Sequence, residues 1–327
     1  MVGQVSSSNM FQRFLHSQVT GALLLIATTV IALVWANSVW GQYYYDLSHT
    51  YLGIRFGDFE FKLTLSYWIK DGLMAIFFFV VGLEIKREVV VGELSSVDKA
   101  MLPVCAALGG AVVPAAVYAW LNMGTEGASG WGIPMATDIA FALGVLSLFG
   151  SRVPVSLKVF LTALAIADDL LAVAVIAIFY TPDLNVGMLA LAFLTIGLMV
   201  LAGRMGIRAT WVYALLAIIV WIDLLGSGVH ATVAGVLVAM VIPVRPVIDP
   251  GKFMDAAGAL LEEARGKDNS LDALIHDSRR RNSLSQLALT VEDAIPPATA
   301  LEHRLHPVTS FVILPLFALF SAGVAFS

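Results

Sequence analysis

Apolar runs long enough to cross a bilayer recur along this chain, and they constrain its fold more than any other feature. A transmembrane helix needs about 20 apolar residues, and nine segments meet or approach that length. Hydrophobic residues make up 59% of the chain and charged residues only 13%. A soluble domain would need far more polar surface to cover nine such runs. We therefore predict an all-α polytopic membrane protein whose single membrane domain covers residues 1–327. The nine predicted spans are Val19–Ala36, Tyr67–Ile85, Ala100–Leu121, Trp131–Phe149, Leu157–Tyr180, Val186–Ala202, Ile207–Leu225, Val229–Val244 and Val308–Phe326.

The positions of Lys and Arg predict how the chain is oriented. Arg13 precedes the first span, Lys86 and Arg87 follow the second, and basic residues recur in every second connection. The intervening connections have almost none, apart from the first, which carries Arg55 and Lys62. The positive-inside rule therefore predicts a multi-pass protein with a cytoplasmic N-terminus.

Residues 37–66 form the first predicted connection, on the external side. The stretch Ile54–Phe61 alternates apolar and polar residues around Gly57-Asp58, a pattern typical of a β-hairpin. An isolated hairpin is marginally stable in water. We therefore expect it to pair with another surface, for example with its copy in a homodimer.

Residues 245–307 form the longest polar stretch, which we predict to be a cytoplasmic connector. It contains the basic cluster Arg279-Arg280-Arg281, and its Ser283–Ala294 portion is weakly amphipathic. Two interpretations remain open for that portion: a helix lying on the membrane surface and a mobile connector.

Three acidic residues lie inside the predicted spans. Asp168 and Asp169 are adjacent near the middle of the fifth span, and Asp138 lies in the fourth. Each Asp at the centre of a membrane helix costs about 2.5–3.5 kcal/mol on insertion scales, which makes a function for these residues the default hypothesis. Asp138 lies 12 residues before Gly150, and Asp168 lies 12 residues after Ser156. Two antiparallel neighbouring helices would thus bring Asp138 and Asp168 to the same depth, about 18 Å from their connecting turn.

The fourth span has features of an interrupted helix. Pro134 disfavours a continuous helix before it, and Thr137 is a suitable N-cap for a half-helix that begins again there. Asp138 would then lie at the positive end of that half-helix. Interrupted helices at the membrane midplane are a recurring feature of transporter binding sites. The alternative is a kinked helix with an internally paired Asp138.

These carboxylates suit a site where a hard cation and protons compete. A buried carboxylate favours its neutral, protonated form until a cation arrives, and oxygen ligands suit Na⁺ or Li⁺. Competition combined with alternating access amounts to antiport, and it needs no cofactor and no nucleic acid. Asp168 and Asp169 are about 100° apart around their helix, so one should be the main ligand and the other should lie at the cavity edge; counting does not choose between them. The patterns typical of intramembrane aspartyl proteases flank neither Asp138 nor Asp168, and we predict that the chain is not an enzyme.

The stretches 132–144 and 163–170 resemble the two signature regions of the NhaA family of Na⁺/H⁺ antiporters. Four shorter stretches, 71–78, 81–88, 228–232 and 301–303, carry the same resemblance. It implies that Asp169 is the main cation ligand, that Asp168 shares cation and proton binding, and that Thr137 and Asp138 lie at the helix break. It also implies that the external hairpin supports a homodimer. The residues assigned to the pH response are Glu84, Lys86, Arg87, Glu88 and His230. A lone His near an interface is more often part of hydrogen-bonded structure, and that alternative stays open for His230.

The resemblance also implies a difference. Members of the family normally have twelve spans, and the membrane-embedded Lys that pairs with the acid matching Asp168 follows the segment that ends at Ser327 in this chain. We therefore predict an NhaA-like fold lacking its last spans. The predicted function is a secondary antiporter that exchanges cytoplasmic Na⁺ or Li⁺ for external protons under pH regulation, with a role in pH homeostasis. The alternative is a truncated, transport-inactive fragment or assembly partner.

Overall fold

The computed structural model describes residues 7–57, 59–135, 142, 146, 149, 152–181, 184–207, 209–246, 248–265 and 277–326. Twelve helices and one β-hairpin make up most of this part of the chain. The helices are α1 (Ser7–Ala36), α2 (Gly41–His49), α3 (Met74–Val91), α4 (Val97–Leu121), α5 (Val155–Phe179), α6 (Val186–Arg204), α7 (Thr210–Ser227), α8 (Val233–Ala239), α9 (Pro250–Ala264), α10 (Ser278–Ala294), α11 (Pro297–Val308) and α12 (Leu314–Ser321). Shorter helical segments are a turn at Leu65–Tyr67, π-helical segments at Trp68–Leu73 and Thr309–Ile313, and a 3₁₀ helix at Glu126–Met135.

Five helical segments in the described ranges are long and apolar enough to cross a membrane. They are Val97–Leu121, Val159–Phe179, Val186–Arg204, Thr210–Ser227 and Pro297–Ser321. A sixth results if Thr20–Ala36 and Gly41–His49, which meet at a bend of 109°, are taken as one broken span. The chain is thus largely helical and multi-pass, but the predicted count of nine spans is not confirmed.

Two predicted spans differ from the structure in informative ways. The second is divided between the π-helical segment Trp68–Leu73 and α3, whose last turns are charged. The eighth, predicted over Val229–Val244, contains only the seven-residue helix α8, about 10 Å long. Gly228 before it has a left-handed backbone with φ of 84°, which ends α7 and delays the next helix.

The fourth predicted span is described only in its first part. Its first five residues, Trp131–Met135, belong to the 3₁₀ helix Glu126–Met135. Thr137, Asp138 and the predicted helix break lie outside the described residues.

The predicted β-hairpin is present. Strands β1 (Tyr51–Phe56) and β2 (Phe59–Thr64) are antiparallel, with Tyr51 opposite Thr64 and Phe56 opposite Phe59. Phe61 makes edge-to-face contacts with Trp68 and Trp221. The hairpin is therefore supported by an aromatic cluster within its own chain.

The apolar core around this cluster is formed by α6, α7 and α8 together with the start of α3. Met199, Val220, Leu224 and Ala234 are almost fully buried there. The π-helical segment that precedes α3 is held to α7 by a hydrogen bond from Trp221 Nε1 to the Asp71 carbonyl oxygen, at 3.2 Å. This core fixes the position of α3, which also contacts α5.

Residues 242–303 form a compact unit of their own. Its helices α9 and α10 pack against each other as an antiparallel pair. At one end Arg279 Nε donates to Glu263 Oε1 at 2.9 Å, and at the other the Ile248 amide donates to the Asp293 carbonyl oxygen at 3.3 Å. The sequence predicted helical character only for Ser283–Ala294, whereas the structure adds α9 as its partner. The cytoplasmic location of this unit remains a prediction.

Candidate functional site

Asp168 lies near the middle of α5. Counting at 1.5 Å per residue, it is about 20 Å from the start of the helix and about 17 Å from its end. Its exposed fraction is 2%, and its Oδ2 atom is buried with no hydrogen-bond partner within the described residues. A buried carboxylate oxygen without a partner is costly in a stable protein, and such an atom calls for an explanation by ligand or function.

The surroundings of α5 explain why Asp168 is shielded from solvent. Ile166 packs against Val81 and Ile85 of α3. Further along α5, Leu171 and Val175 pack against a buried cluster that includes Ala111 of α4. The acid is thus held on a helix that apolar neighbours fix on two sides.

Asp169 has a different environment from its neighbour. It is half-buried, whereas Asp168 is almost completely buried. One step along a helix turns the side chain by about 100°, which accounts for the difference. Both residues are therefore available as candidates, and burial alone does not rank them as cation ligands.

The predicted meeting of Asp138 with Asp168 involves a residue outside the described ranges. The nearest described residue on that side is Met135, which is buried in the same cluster as Ala111 and Ala115 of α4, with Leu171 of α5 packed against it. Leu171 is one turn from Asp168. The chain therefore lies beside α5 three residues before Asp138, while Thr137 and Asp138 themselves remain predicted site residues.

No group of three or more His, Cys, Asp or Glu side chains that could hold a metal ion is found in the described ranges, which exclude Asp138. A cleft of about 350 Å³ lies between α4 and α5, and its described lining includes neither Asp168 nor Asp169. Its lining is apolar and includes Val104, Leu108, Leu170 and Leu171. Such a lining does not suit passage of a hydrated cation.

Tyr180, which directly follows α5, connects the C-terminal end of this helix to the 3₁₀ helix Glu126–Met135. Tyr180 Oη donates to the Ser129 carbonyl oxygen at 2.8 Å and accepts from the Gly132 amide at 2.9 Å. Trp131 packs edge-to-face on Phe179, with ring centroids 5.2 Å apart. These contacts set the position of α5 relative to the segment that leads toward Thr137.

The residues assigned to the pH response do not gather at one place. Arg87 Nη2 lies 3.3 Å from Glu88 Oε1 and 3.9 Å from Glu84 Oε1, which makes a small ion-pair cluster near the end of α3. Glu88 Oε2 also accepts from the Glu93 amide at 2.9 Å. Lys86 instead donates to the Met240 carbonyl oxygen at 2.7 Å, where it caps the end of α8.

His230 lies at the other end of α3. Its Nδ1 atom is 3.9 Å from Asp71 Oδ1, close enough for an ion pair when the imidazole is protonated. Residues 71 and 88 are 17 positions apart, which corresponds to about 25 Å along a helix. His230 is therefore remote from the Glu84–Arg87–Glu88 cluster.

A second cleft, which sequence reasoning missed, also involves Asp71. It has a volume of about 310 Å³, and Tyr44, Lys70, Asp71 and Ser321 are in its lining. Ser321 Oγ is buried with no hydrogen-bond partner in the described part of the chain. Among the residues that line this cleft, Asp71 and Ser321 are 250 positions apart in the sequence. Sequence spacing therefore could not predict the cleft.

Comparison with known proteins decides the family. Residues 12–327 match the model of the family described as Na⁺/H⁺ antiporter 1. The chain belongs to this family. The resemblance recognised from the sequence motifs is thereby confirmed, and the Na⁺/H⁺ antiporter 1 family is one of multi-pass membrane transporters rather than enzymes.

Relatives of the chain carry the name Na(+)/H(+) antiporter NhaA. The protein from Oleidesulfovibrio alaskensis is 48% identical over 97% of this chain and 70% of its own length. Those from Sulfurimonas denitrificans and Wolinella succinogenes are 46% and 45% identical, each over 96% of this chain and over 71% and 70% of their own lengths. Similarity at this level covers nearly all of this chain and about 70% of the length of these relatives.

Proposed function

We propose that the chain is a Na⁺/H⁺ antiporter, also accepting Li⁺, that exchanges cytoplasmic cations for external protons at its membrane aspartates. The observation that carries this proposal is the Asp168 carboxylate, which is buried at the middle of a candidate span with one oxygen unpartnered among the described residues. The names of the relatives support the choice of Na⁺ and H⁺ as the transported ions.

The mechanism follows from the charge of the carboxylates. A proton or a hard cation neutralises a buried carboxylate, and the two cannot occupy the same oxygen at once. We assign Asp169 as the main cation ligand, with Asp168 as a shared proton and cation site. Asp138 and Thr137 would supply further oxygen ligands from the neighbouring segment. Exchange results when this occupied site opens to one side of the membrane at a time.

The pH response is assigned to charged residues at both ends of α3. Protonation of Glu84 or Glu88 would weaken their attraction to Arg87, and protonation of His230 would strengthen its attraction to Asp71. Lys86 acts at the end of α8 through its bond to the Met240 carbonyl oxygen. The proposal is that these contacts shift the pH range of exchange without taking part in ion binding.

The proposed setting is the bacterial inner membrane, with the N-terminus and residues 245–307 in the cytoplasm and the β-hairpin outside. The alternation of basic residues between connections supports this orientation. A homodimer that uses the hairpin belongs to the same proposal. Within its own chain the hairpin contacts Trp68 and Trp221 through Phe61.

Exchange in everted membrane vesicles tests the ion site. Addition of Na⁺ at alkaline pH should dissipate a preformed proton gradient with the parent chain, and Asp169→Asn should abolish this signal because the main charged ligand is lost. The matched control is Asp223→Asn, which removes an acid from α7, another candidate span. If the control loses exchange as completely as Asp169→Asn, the assignment of Asp169 is wrong. If correctly inserted parent protein gives no signal, the hypothesis of a transport-inactive fragment is favoured.

The same assay separates ion binding from regulation. Glu88→Ala removes a partner of Arg87 and the acceptor of the Glu93 amide, so it should move the pH range of exchange while the maximal rate is retained. Measurement of the signal from pH 6 to 9 checks this prediction. Loss of exchange at every pH would contradict the division of roles between Glu88 and the aspartates.

A further inference from the structure

The hairpin of α9 and α10 carries exposed apolar side chains at a regular spacing. Met254 and Leu261 of α9 are 69% and 54% exposed, and Leu284 and Val291 of α10 are 37% and 41% exposed. Within each helix the two residues are seven positions apart, which places them within about 20° of each other around the helix axis. These four residues are called the apolar hairpin face.

The two halves of this face lie on the same side of the hairpin. On α10, Leu284 directly follows Ser283, which is buried against α9, and on α9, Leu261 directly follows the half-buried Leu260. One residue turns the helix by about 100°. The two helices run antiparallel. A step of one residue toward the C-terminus therefore turns the side chain away from the interface between the helices, and toward the same side of the hairpin in both.

Polar contacts keep the face in this arrangement. Arg280 is buried, and its Nε donates to the Ala264 carbonyl oxygen at 2.8 Å, which caps the end of α9. Next to it, Arg279 pairs with Glu263 at 2.9 Å. The bond between Ile248 and Asp293 ties the other end of the hairpin. The face is thus a fixed feature of the unit.

The path of the chain indicates what covers the face. α10 ends at Ala294, and the candidate span Pro297–Ser321 begins three residues later. The apolar part of that segment begins near Val308, so about 14 residues, most of them in α11, connect α10 to the bilayer and keep the hairpin close to its surface. A soluble partner would have to compete with a lipid surface that is always within reach.

Charge at one end of the face is complementary to lipid headgroups. Arg281 follows Arg280, so by the same one-residue step it lies on the side of the apolar face. Arg265 ends α9 at the same end of the hairpin, where it pairs with Glu262 at 3.2 Å. Both Arg265 and Arg281 are exposed. Apolar side chains flanked by Arg are the pattern of helices that lie in the membrane interface, where the guanidinium groups meet phosphates.

We propose that the apolar hairpin face lies on the lipid surface of the bilayer, with Met254, Leu261, Leu284 and Val291 among the upper acyl chains. The hairpin thereby becomes an interfacial anchor rather than a free connector. This proposal needs only that the candidate spans insert in a membrane, and it does not depend on transport activity.

Site-specific fluorescence quenching in proteoliposomes of the full chain tests the proposal. The chain has one cysteine, Cys105, so Cys105→Ala provides a background for Leu261→Cys, Leu284→Cys and Leu289→Cys, each labelled with a small fluorophore. Leu289 is the matched control, because it is 63% exposed but lies about 140° from Leu284 around α10.

We expect labels at 261 and 284 to be quenched by nitroxide-bearing lipids at least about twofold more than the label at 289. Aqueous iodide should give the opposite order. Equal access of iodide to all three positions would overturn the proposal, since the face would then be in water. Protection from iodide without quenching by lipid nitroxides would also overturn it, because protein would then cover the face.

Discussion

At the scale of single residues, the two adjacent aspartates show how far position alone determines environment. Asp168 and Asp169 have the same side chain and are neighbours in sequence, yet one is almost fully buried and the other is half-buried. The sequence predicted that they could not point at one spot, because a helix turns by about 100° per residue. It did not predict which of them is the more buried, since that depends on how α3 and α4 pack around α5.

Tyr180 offers a direct test of a single polar contact. Tyr180→Phe removes the hydroxyl that bonds both the Ser129 carbonyl oxygen and the Gly132 amide. Each such bond contributes about 1 kcal/mol, so the free energy of unfolding should fall by about 2 kcal/mol. Thermal unfolding in detergent, followed by the fluorescence of the purified protein, measures this loss.

The control for that experiment is Tyr43→Phe. Tyr43 is 69% exposed, so removing its hydroxyl should leave the unfolding temperature within error of the parent value. Equal losses in the two variants would mean that the Tyr180 contacts do not stabilise α5.

Glu263 provides a prediction about pH. Its hydrogen bonds to Arg279 and Ser283 hold the pKa of the Glu263 carboxyl below its usual value of 4.5. A carboxyl whose pKa is lower in the folded state stabilises that state above its unfolded pKa, and this contribution disappears as the pH falls through the folded pKa. Protection of α9 and α10 from hydrogen exchange should therefore decrease below about pH 4, after correction for intrinsic rates.

Glu263→Gln should remove this pH dependence and leave protection uniformly lower. Glu262→Gln serves as the control, because Glu262 pairs only with the exposed Arg265 in the described ranges. If Glu263→Gln retained the acid-dependent loss of protection, another group would be responsible for it.

At the scale of elements, the contact between α3 and α8 depends on two glycines. A Cβ atom at Gly82 would lie 2.8 Å from the Cβ of Ala239 and 3.0 Å from the Cα of Val236. A Cβ atom at Gly235 would collide with the Ala75 carbonyl oxygen. Small residues of this kind let membrane helices approach closely.

Gly235→Ala should therefore destabilise the protein. Alanine gains up to about 1 kcal/mol of helix propensity over glycine, but overpacking costs about 1–3 kcal/mol and its neighbours here are backbone atoms that cannot rotate away. We expect a lower unfolding temperature and a larger fraction of aggregated protein in size-exclusion chromatography. Gly197→Ala in α6 is the matched control, since no atom lies within 4 Å of its added Cβ, and it should be neutral or stabilising.

Sequence patterns predicted some elements closely and others poorly, for physical reasons. α5 and α6 were predicted to within two residues, because long uninterrupted apolar runs leave few alternatives to a spanning helix. The eighth span was wrong because its apolar composition is the same whether two turns or five are helical. The left-handed backbone of Gly228 ends α7 and delays the start of the next helix. α9 was missed because its 15 residues are amphipathic rather than uniformly apolar and are too few for a membrane span.

At the scale of the whole molecule, the candidate site could be predicted only in part. The central position of Asp168 in its helix follows from counting, and the family follows from the motifs. The separation of His230 from Glu88 could not be predicted. Sequence spacing gives distances along one helix, but it does not tell which residues of different helices meet. His230 contacts Asp71, a residue more than 150 positions earlier, and only the packing of α8 against α3 creates that contact.

The parallel pairing of α3 with α8 has a mechanical consequence. Asp71 meets His230 where the two segments begin, Gly82 meets Val236 and Ala239 further along, and Lys86 holds Met240 where α8 stops. These contacts at three positions along the pair restrict sliding and rotation of one helix against the other. We therefore expect α3 and α8 to move together as one rigid body in any conformational change.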